Sequence, residues 1–87
     1  MASYEIEWKR SAERELRNTD PKHIQRILRA VADLADNPLP LGRRKLQGSE
    51  QDYRIRVGDY RVIYRMDNRA RLVTVYHVRH RGEAYRL

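Results

Sequence analysis

The sequence has no cysteine. A disulfide framework, a thiolate metal site and a cysteine nucleophile are therefore excluded. Long apolar runs are also missing: no uninterrupted run exceeds three residues, which is too short for a membrane span or a signal-peptide core. A chain of 87 residues can enclose only one hydrophobic core. We therefore expect a single domain over residues 1–87 that is soluble and cytoplasmic and has no membrane partner.

Acidic residues are too few to balance the basic ones. The sequence has 19 Lys and Arg against 12 Asp and Glu, a net charge of +7. Residues 1–40 carry seven of each sign, whereas residues 41–87 carry twelve basic and five acidic side chains. Sixteen of the basic residues are arginine, whose planar fork suits bidentate phosphate binding and base stacking. The expected partner is a nucleic acid. A membrane is less favoured because the sequence has no basic amphipathic helix, and a generic basic surface would not confine its excess charge to one half of the chain.

The first half of the chain shows one strand pattern followed by two helix patterns. Residues 4–8 alternate between apolar and polar, as in a half-buried strand. Ser11 can cap a short helix that runs to about Asn18, and Asp20-Pro21 is a second helix start. Asn37-Pro38 predicts the end of the second helix. Its apolar stripe comprises Ile24, Ile27, Leu28, Val31 and Leu34.

The second half has the alternation typical of β-strands. Residues 53–57 and 60–64 flank Gly58-Asp59, the signature of a two-residue hairpin turn. A further turn at 67–70 precedes a strand from Leu72 to about Arg79. The predicted fold class is α+β: an N-terminal strand, a two-helix hairpin and a three-stranded antiparallel meander. The helices should pack on one face of a four-stranded sheet.

The predicted hairpin register separates apolar residues from arginines, because cross-strand partners share a face. One face carries Tyr53, Ile55, Val57, Tyr60, Val62 and Tyr64. The other, which we call the arginine face, carries Arg54, Arg56, Arg61 and Arg65 around Ile63. Like charges directly opposite each other, such as Arg56 and Arg61, are destabilising unless an anion lies between them. We therefore expect this face to bind phosphate, with a solvated outer face as the alternative.

The last strand has apolar residues in both of its alternating sets, so its phase stays open. Val73, Val75, His77 and Arg79 form one set, and Thr74, Tyr76, Val78 and His80 form the other. Either histidine could therefore face the arginines.

Three segments carry more specific motifs: Lys45-Leu46-Gln47-Gly48, the strand–turn–strand run at 53–64, and Val78-Arg79-His80-Arg81-Gly82-Glu83-Ala84-Tyr85. Together with the two-helix segment they resemble the RelE/ParE superfamily of toxins from bacterial toxin–antitoxin systems, over essentially the whole chain. The final His-Arg followed by a tyrosine is similar to the RelE-like branch. This resemblance implies a ribosome-dependent endoribonuclease that cuts translated mRNA in the ribosomal A site. It also implies a cognate RelB-like antitoxin as partner.

The resemblance implies roles for four catalytic residues. Arg61 and Arg81 match positions that bind and stabilise the scissile phosphate. Tyr85 matches a tyrosine with a proton-transfer or base-stacking role. His80 lies where several relatives have a histidine that acts as acid or base.

A second set of residues is expected to bind the RNA backbone. Arg54 and Arg56 lie where some relatives have catalytic lysines, but arginine does not release its proton in practice. Arg43, Arg44 and Lys45 follow the connector, the turn-forming segment Leu39-Pro40-Leu41-Gly42. They either tether the RNA or form a solvated charge run. The full expected RNA-binding set comprises Arg43, Arg44, Lys45, Arg54, Arg56 and Arg65.

RNA cleavage by attack of the 2′-hydroxyl needs a proton acceptor, stabilisation of the phosphorane charge and a proton donor. The basic half has no clustered carboxylates, so we expect neither a metal site nor a cofactor. Arginine supplies electrostatic stabilisation only, which leaves His77, His80 and Tyr85 as the main proton-transfer candidates. Next to many cations a histidine stays neutral and can accept a proton, so His80 is ranked slightly above Tyr85 as the base.

Two other functions remain open at this point. A ParE-like toxin that inhibits DNA gyrase would keep the fold without needing His80, Tyr85 or the paired arginines. A non-catalytic module that binds RNA or the ribosome would need the arginine face but no proton-transfer group.

Overall fold

The computed structural model describes residues 4–80. Its elements are β1 (Glu5–Trp8), α1 (Arg10–Arg17), α2 (Pro21–Asp33), β2 (Arg44–Lys45), β3 (Asp52–Val57), β4 (Tyr60–Asp67) and β5 (Leu72–His80). The strands form one mixed sheet in the order β1-β5-β4-β3-β2, with β1 parallel to β5 and the other neighbours antiparallel. The predicted α+β class is confirmed. The sheet has one strand more than the four predicted, because the short charge run Arg44-Lys45 pairs with β3.

Helix α2 begins where the sequence predicts and ends early. Its cap, Asp20, accepts a hydrogen bond at 3.2 Å from the backbone N–H two residues on. Residues 34–36 form turns, so the helix stops before Pro38. Helix α1 begins one residue before its predicted cap, Ser11, whose hydroxyl instead donates to the Tyr76 carbonyl at 3.1 Å. No helix in the described range is long and apolar enough to cross a membrane.

The core lies between the helices and one face of the sheet. It comprises Ala12, Ile27, Val31 and Leu34 from the helical half and Ile55, Val62, Tyr64, Val73, Val75 and Val78 from the sheet. Leu28 lies at the margin of the predicted apolar stripe and is 39% exposed. The hydroxyl of the buried Tyr64 donates to the Pro38 carbonyl at 2.6 Å, which fixes the connector against the sheet. Burial raises the pKa of Tyr64 to about 12.

The hairpin between β3 and β4 has the predicted register. Val57 pairs with Tyr60, and Arg56 pairs with Arg61. Gly58 occupies the turn with φ +60°, a conformation that costs glycine little and strains other residues. The apolar face of the hairpin therefore packs under the helices, and the arginine face lies on the opposite side of the sheet.

Strand β5 contains a β-bulge at Tyr76. Ile63 pairs with His77, but the next residue along β4, Tyr64, pairs with Val75. Tyr76 is therefore an extra residue without a partner of its own on β4. An extra residue reverses the alternation of side chains from that point on.

The bulge decides which residues of β5 face the arginines. Val75 before the bulge and Val78 after it both point into the core. His77 and Arg79 consequently lie on the arginine face, whereas His80 lies on the helix side. The sequence pattern assigns alternate residues of this strand to one face along its whole length. Because of the bulge, the residues of each set lie on one face before Tyr76 and on the other face after it.

Candidate functional site

Three arginines from three neighbouring strands lie side by side on the arginine face. Arg61 of β4 pairs with Arg56 of β3 on one side and with Arg79 of β5 on the other. Paired strands lie roughly 4.8 Å apart, so like charges at these positions destabilise one another where no counter-charge is near. An anion bound among them would replace this repulsion with charge-assisted hydrogen bonds. We call Arg56, Arg61 and Arg79 the cross-strand arginine row.

Arg61, at the centre of the row, is buried with only 5% of its surface exposed. The sequence predicts the face of Arg61 correctly but implies a solvent-exposed side chain. Its strand, β4, is a central one with a neighbour on each side. Its Nη1 donates to the Tyr60 carbonyl at 3.4 Å, which is a long bond. Within residues 4–80, none of the ion pairs involves Arg61. Since a buried charge is costly unless it is paired, Arg61 is well suited to bind an anion.

Arg79, at one end of the row, is held by a carboxylate from α1. Its Nε donates to Glu15 Oε2 at 2.8 Å, and its Nη2 lies 3.2 Å from Nδ1 of His77. Glu15 Oε1 accepts from the backbone N–H of Val78 at 3.1 Å and lies 3.2 Å from the same His77 nitrogen. The sequence pattern indicates neither residue. The bulge that turns Arg79 to this face has no sequence signature, and Glu15 reaches it from a helix distant in the chain.

A groove of about 740 Å³ lies beside the row. Four predicted RNA-binding or catalytic residues line one side of it: Arg44, Arg54, Arg56 and Arg61. The other lining residues come from α2, the connector and β3: Ala30, Asp33, Leu34, Asn37, Pro40, Leu41, Gly42 and Ile55. Strand β2 pairs only with the first part of β3, so the groove extends along the uncovered edge of β3. The arginines suit the phosphates of a nucleotide chain, and the opposite wall combines apolar residues, which suit the bases, with Asp33 and Asn37.

Arg65, also on the arginine face, is already engaged. Its Nε and Nη2 donate to the two carboxylate oxygens of Asp52 at 2.8 and 3.2 Å. These hydrogen bonds hold the pKa of Asp52 below its usual value. A phosphate would have to displace Asp52, so RNA binding by Arg65 stays a prediction.

The charge run before β3 divides between two environments. Arg44 lines the groove. Lys45 alternates to the other face of the sheet, and its Nζ lies 3.3 Å from a carboxylate oxygen of Glu50. The positive charge of Arg43 acts on Tyr64, where it opposes the rise in the tyrosine pKa. Only the middle residue of the run is therefore placed beside the arginine row.

His80 lies on the opposite side of the sheet from Arg61. It pairs with Tyr60, and the two rings meet edge-on with their centres 5.5 Å apart. It lines a separate, shallow cleft of about 240 Å³ near the junction of the two helices. Of the two histidines whose face the sequence leaves open, His77 therefore lies on the arginine face and His80 on the helix side, and a catalytic role for His80 stays a prediction. Arg81 and Tyr85, the remaining predicted catalytic residues, lie outside the described residues.

The fold and the site together define a small α+β protein whose sheet carries three neighbouring arginines on the face opposite its helices. The family model for the ParE toxin of type II toxin–antitoxin systems, parDE, matches residues 6–85. The chain is 32% identical over 87 residues to Toxin RelG of Mycobacterium tuberculosis, covering 95% of this chain and 97% of that protein.

Two solved structures are also similar. One is the archaeal RelE–RelB complex from Pyrococcus horikoshii, with a TM-score of 0.82, 27% identity, and coverage of 92% of this chain and 97% of that chain. The other is the RelBE2 toxin–antitoxin complex of M. tuberculosis, with a TM-score of 0.78, 27% identity, and coverage of 91% and 99%. The chain belongs to the RelE/ParE family and is a toxin of a type II toxin–antitoxin system. The resemblance seen in the sequence is thereby confirmed.

Proposed function

We propose that this toxin is a ribosome-dependent endoribonuclease that cleaves translated mRNA in the ribosomal A site. The observation that carries the proposal is the cross-strand arginine row, whose members Arg56 and Arg61 line a groove large enough for a nucleotide chain. A toxin that acts without binding a phosphate would have no need for this mutually repulsive arrangement. The proposed substrate places the site of action in the cytoplasm.

The proposed reaction is attack of the substrate's own 2′-hydroxyl on the scissile phosphate. The negative charge that develops on the phosphorane is stabilised by the arginine row, with Arg61 at its centre. Arg54 and Arg44 bind neighbouring phosphates along the groove. Arg81 is proposed as a further phosphate ligand, as the family resemblance implies.

Removal of the proton from the attacking 2′-hydroxyl is assigned to Tyr85 in preference to His80. The pairing of His80 with Tyr60 on the helix side supports this change of ranking, because a general base has to reach the proton that it removes. His77 is the described histidine on the arginine face, and its Nδ1 already contacts Glu15 and Arg79.

The proposed partner is an antitoxin similar to RelB. Of the two solved relatives at 27% identity, one is part of a RelE–RelB complex and the other is part of the RelBE2 toxin–antitoxin complex. Because this chain carries a net charge of +7, an acidic segment of the antitoxin that covers the arginine face would bind by complementary charge. Binding of this kind weakens as the salt concentration rises.

Induction of the toxin alone, followed by mapping of mRNA 5′ ends by primer extension, tests the proposed function. New 5′ ends should appear within translated regions and should disappear when translation of the same mRNA is blocked. A folded toxin that arrests growth without producing new 5′ ends would contradict the proposal.

Inhibition of DNA gyrase is a second candidate, because the matching family model describes the ParE toxin of parDE. This function predicts broken chromosomal DNA and intact mRNA after induction. The two outcomes can be scored in the same culture by DNA gel analysis and primer extension.

A further inference from the structure

Tyr76 differs from the other tyrosines in the described part of the chain, because it does not pack against the core. Tyr4, Tyr53, Tyr60 and Tyr64 all belong to the core or contact it. Tyr76 is the extra residue of the bulge in β5, and its half-buried side chain lies on the arginine face. A large aromatic ring usually contributes its area to a core or to an interface. The ring of Tyr76 is therefore placed for contact with a ligand.

Two cations from the strands on either side of β5 approach the Tyr76 ring. The guanidinium carbon of Arg65, on β4, lies 5.6 Å from the ring centre. Lys9 directly follows β1, on the other side of β5, and its Nζ lies 5.8 Å from the ring centre. Both distances are within the range of a cation–π contact. A ring with cations beside it offers what one nucleotide needs, a surface for the base and a charge for the phosphate.

The two cations are held differently. Arg65 donates two hydrogen bonds to the carboxylate of Asp52, at 2.8 and 3.2 Å, so its guanidinium is fixed beside the ring. Lys9 is anchored by its backbone N–H, which donates to the Val75 carbonyl at 2.9 Å. Its exposed ammonium takes part in none of the ion pairs within residues 4–80. Because an exposed cation–π contact is weaker than base stacking, a base can displace this ammonium, which is then free to bind a phosphate.

The ring also lies close to the arginine row. The residue that follows Tyr76 pairs with Ile63, which is two positions along β4 from Arg61. At a rise of roughly 3.3 Å per residue, this separation is about 7 Å along the strand. An RNA chain with a phosphate bound at Arg61 therefore brings a neighbouring base within reach of Tyr76.

We infer that Tyr76 and Lys9 form a nucleotide subsite, in which the ring stacks on a base next to the scissile phosphate and the ammonium binds the phosphate of that nucleotide. The inference rests on the proposed endoribonuclease function. Every base has an aromatic face, so stacking tolerates any sequence. The subsite therefore holds the mRNA in place without selecting a codon.

The decisive variant is Tyr76→Leu, which removes the ring and keeps an apolar side chain. Tyr76→Phe is its matched control, because phenylalanine retains the ring and lacks only the hydroxyl. For the cation, Lys9→Gln is compared with Lys22→Gln, since Lys22 is an exposed lysine at the start of α2 and its substitution removes the same charge. The stability of all four variants is measured by urea unfolding.

Single-turnover cleavage of mRNA on programmed ribosomes is the first readout. It is measured at limiting toxin concentration, where the rate reports losses in binding and in chemistry together. Tyr76→Leu should cut about 10-fold or more slowly, the scale of one lost stacking contact, whereas Tyr76→Phe should cut at nearly the wild-type rate. Lys9→Gln should cut more slowly than Lys22→Gln, and this difference should shrink as the salt concentration rises.

Removal of a base from the mRNA identifies what the ring contacts. Two mRNAs carry an abasic ribose, one on each side of the mapped cleavage position. On one of them the wild-type toxin should slow by about the factor that Tyr76→Leu loses on intact mRNA, and Tyr76→Leu should slow little further, because both changes remove the same contact. Losses that multiply at both positions would overturn the inference, as would a folded Tyr76→Leu toxin that cuts at the wild-type rate.

Photo-crosslinking decides the question if Tyr76→Leu does not fold. The wild-type toxin is irradiated on ribosomes whose mRNA carries thiouridine beside a 2′-deoxynucleotide at the cleavage position. A crosslink to a peptide that contains Tyr76 would support the subsite, and crosslinks that all lie elsewhere in the chain would overturn it. Failure of the endoribonuclease proposal is distinguishable, because the wild-type toxin would then leave intact even the all-ribose mRNA.

Discussion

Replacing Arg61 with methionine should slow RNA cleavage sharply while leaving the fold at least as stable as in the wild type. Methionine keeps most of the buried apolar stem and removes only the charge. One uncompensated cross-strand like-charge pair, Arg56–Arg61, is lost in this variant, because Arg79 is already paired with Glu15. Such a pair costs roughly 0.2–1 kcal/mol, so the free energy of unfolding should rise by about the same amount. The bond to the Tyr60 carbonyl is 3.4 Å long and offsets little of this gain.

The effect on the reaction should have the opposite sign. A preorganised donor that stabilises charge in the transition state contributes about 3–4 kcal/mol. The rate of single-turnover cleavage should therefore fall by roughly 10²–10³-fold. Stability and activity thus change in opposite directions at this one position.

Urea unfolding and cleavage of ribosome-bound mRNA should be measured on the same preparations, with Arg69→Met as the control. Arg69 is exposed in the turn that follows β4, so its substitution removes the same charge far from the row. The control should cut at nearly the wild-type rate. Undiminished cleavage by a folded Arg61→Met toxin would refute the assignment of Arg61 to the phosphate site. A loss of more than about 1 kcal/mol of stability would refute the claim that repulsion strains the row.

Two further predictions concern the dependence of stability on pH. The bonds from Arg65 lower the pKa of Asp52. They therefore stabilise the fold above the ordinary aspartate pKa, and this contribution is lost as the pH falls through the lowered value. Urea unfolding between pH 5 and pH 2 should show a steeper loss of stability for the wild type than for Asp52→Asn. Burial raises the pKa of Tyr64 to about 12, so stability that is present below about pH 10 is lost above it. Between pH 9 and pH 11 the wild type should lose about 1 kcal/mol of unfolding free energy relative to Tyr64→Phe. In either comparison, an equal dependence of stability on pH in wild type and variant would contradict the pKa shift assigned to that residue.

The sequence predicts most of the fold because its local signals agree with one another. The change from helical to alternating periodicity locates the helices and the meander, and Gly58-Asp59 fixes the hairpin register. That register alone is enough to place Arg56 opposite Arg61. The pairing of Arg44 and Lys45 with β3 was not predicted, since two charged residues carry no strand pattern of their own.

The candidate site was predicted less completely than the fold. Three features of the structure explain the difference. The bulge at Tyr76 shifts the phase of β5 and moves His80 to the helix side, yet a bulge needs no distinctive residue type. Arg65 is bound by Asp52, a long-range ion pair that a pattern of charges does not reveal. Glu15 reaches the arginine row from α1, and such a contact depends on how the helix packs against the edge of the sheet.

The central claim is that this toxin cleaves RNA by attack of a 2′-hydroxyl on a phosphate bound by the arginine row. The most direct test uses ribosomes programmed with an mRNA that carries a single 2′-deoxynucleotide at the mapped cleavage position. The wild-type toxin should cut the all-ribose mRNA to give a 2′,3′-cyclic phosphate and a 5′-hydroxyl, as mass spectrometry of the fragments would show. It should leave the 2′-deoxy mRNA intact at that bond. Cleavage of the 2′-deoxy mRNA at the same position, or fragments that end in a 5′-phosphate, would contradict the claim.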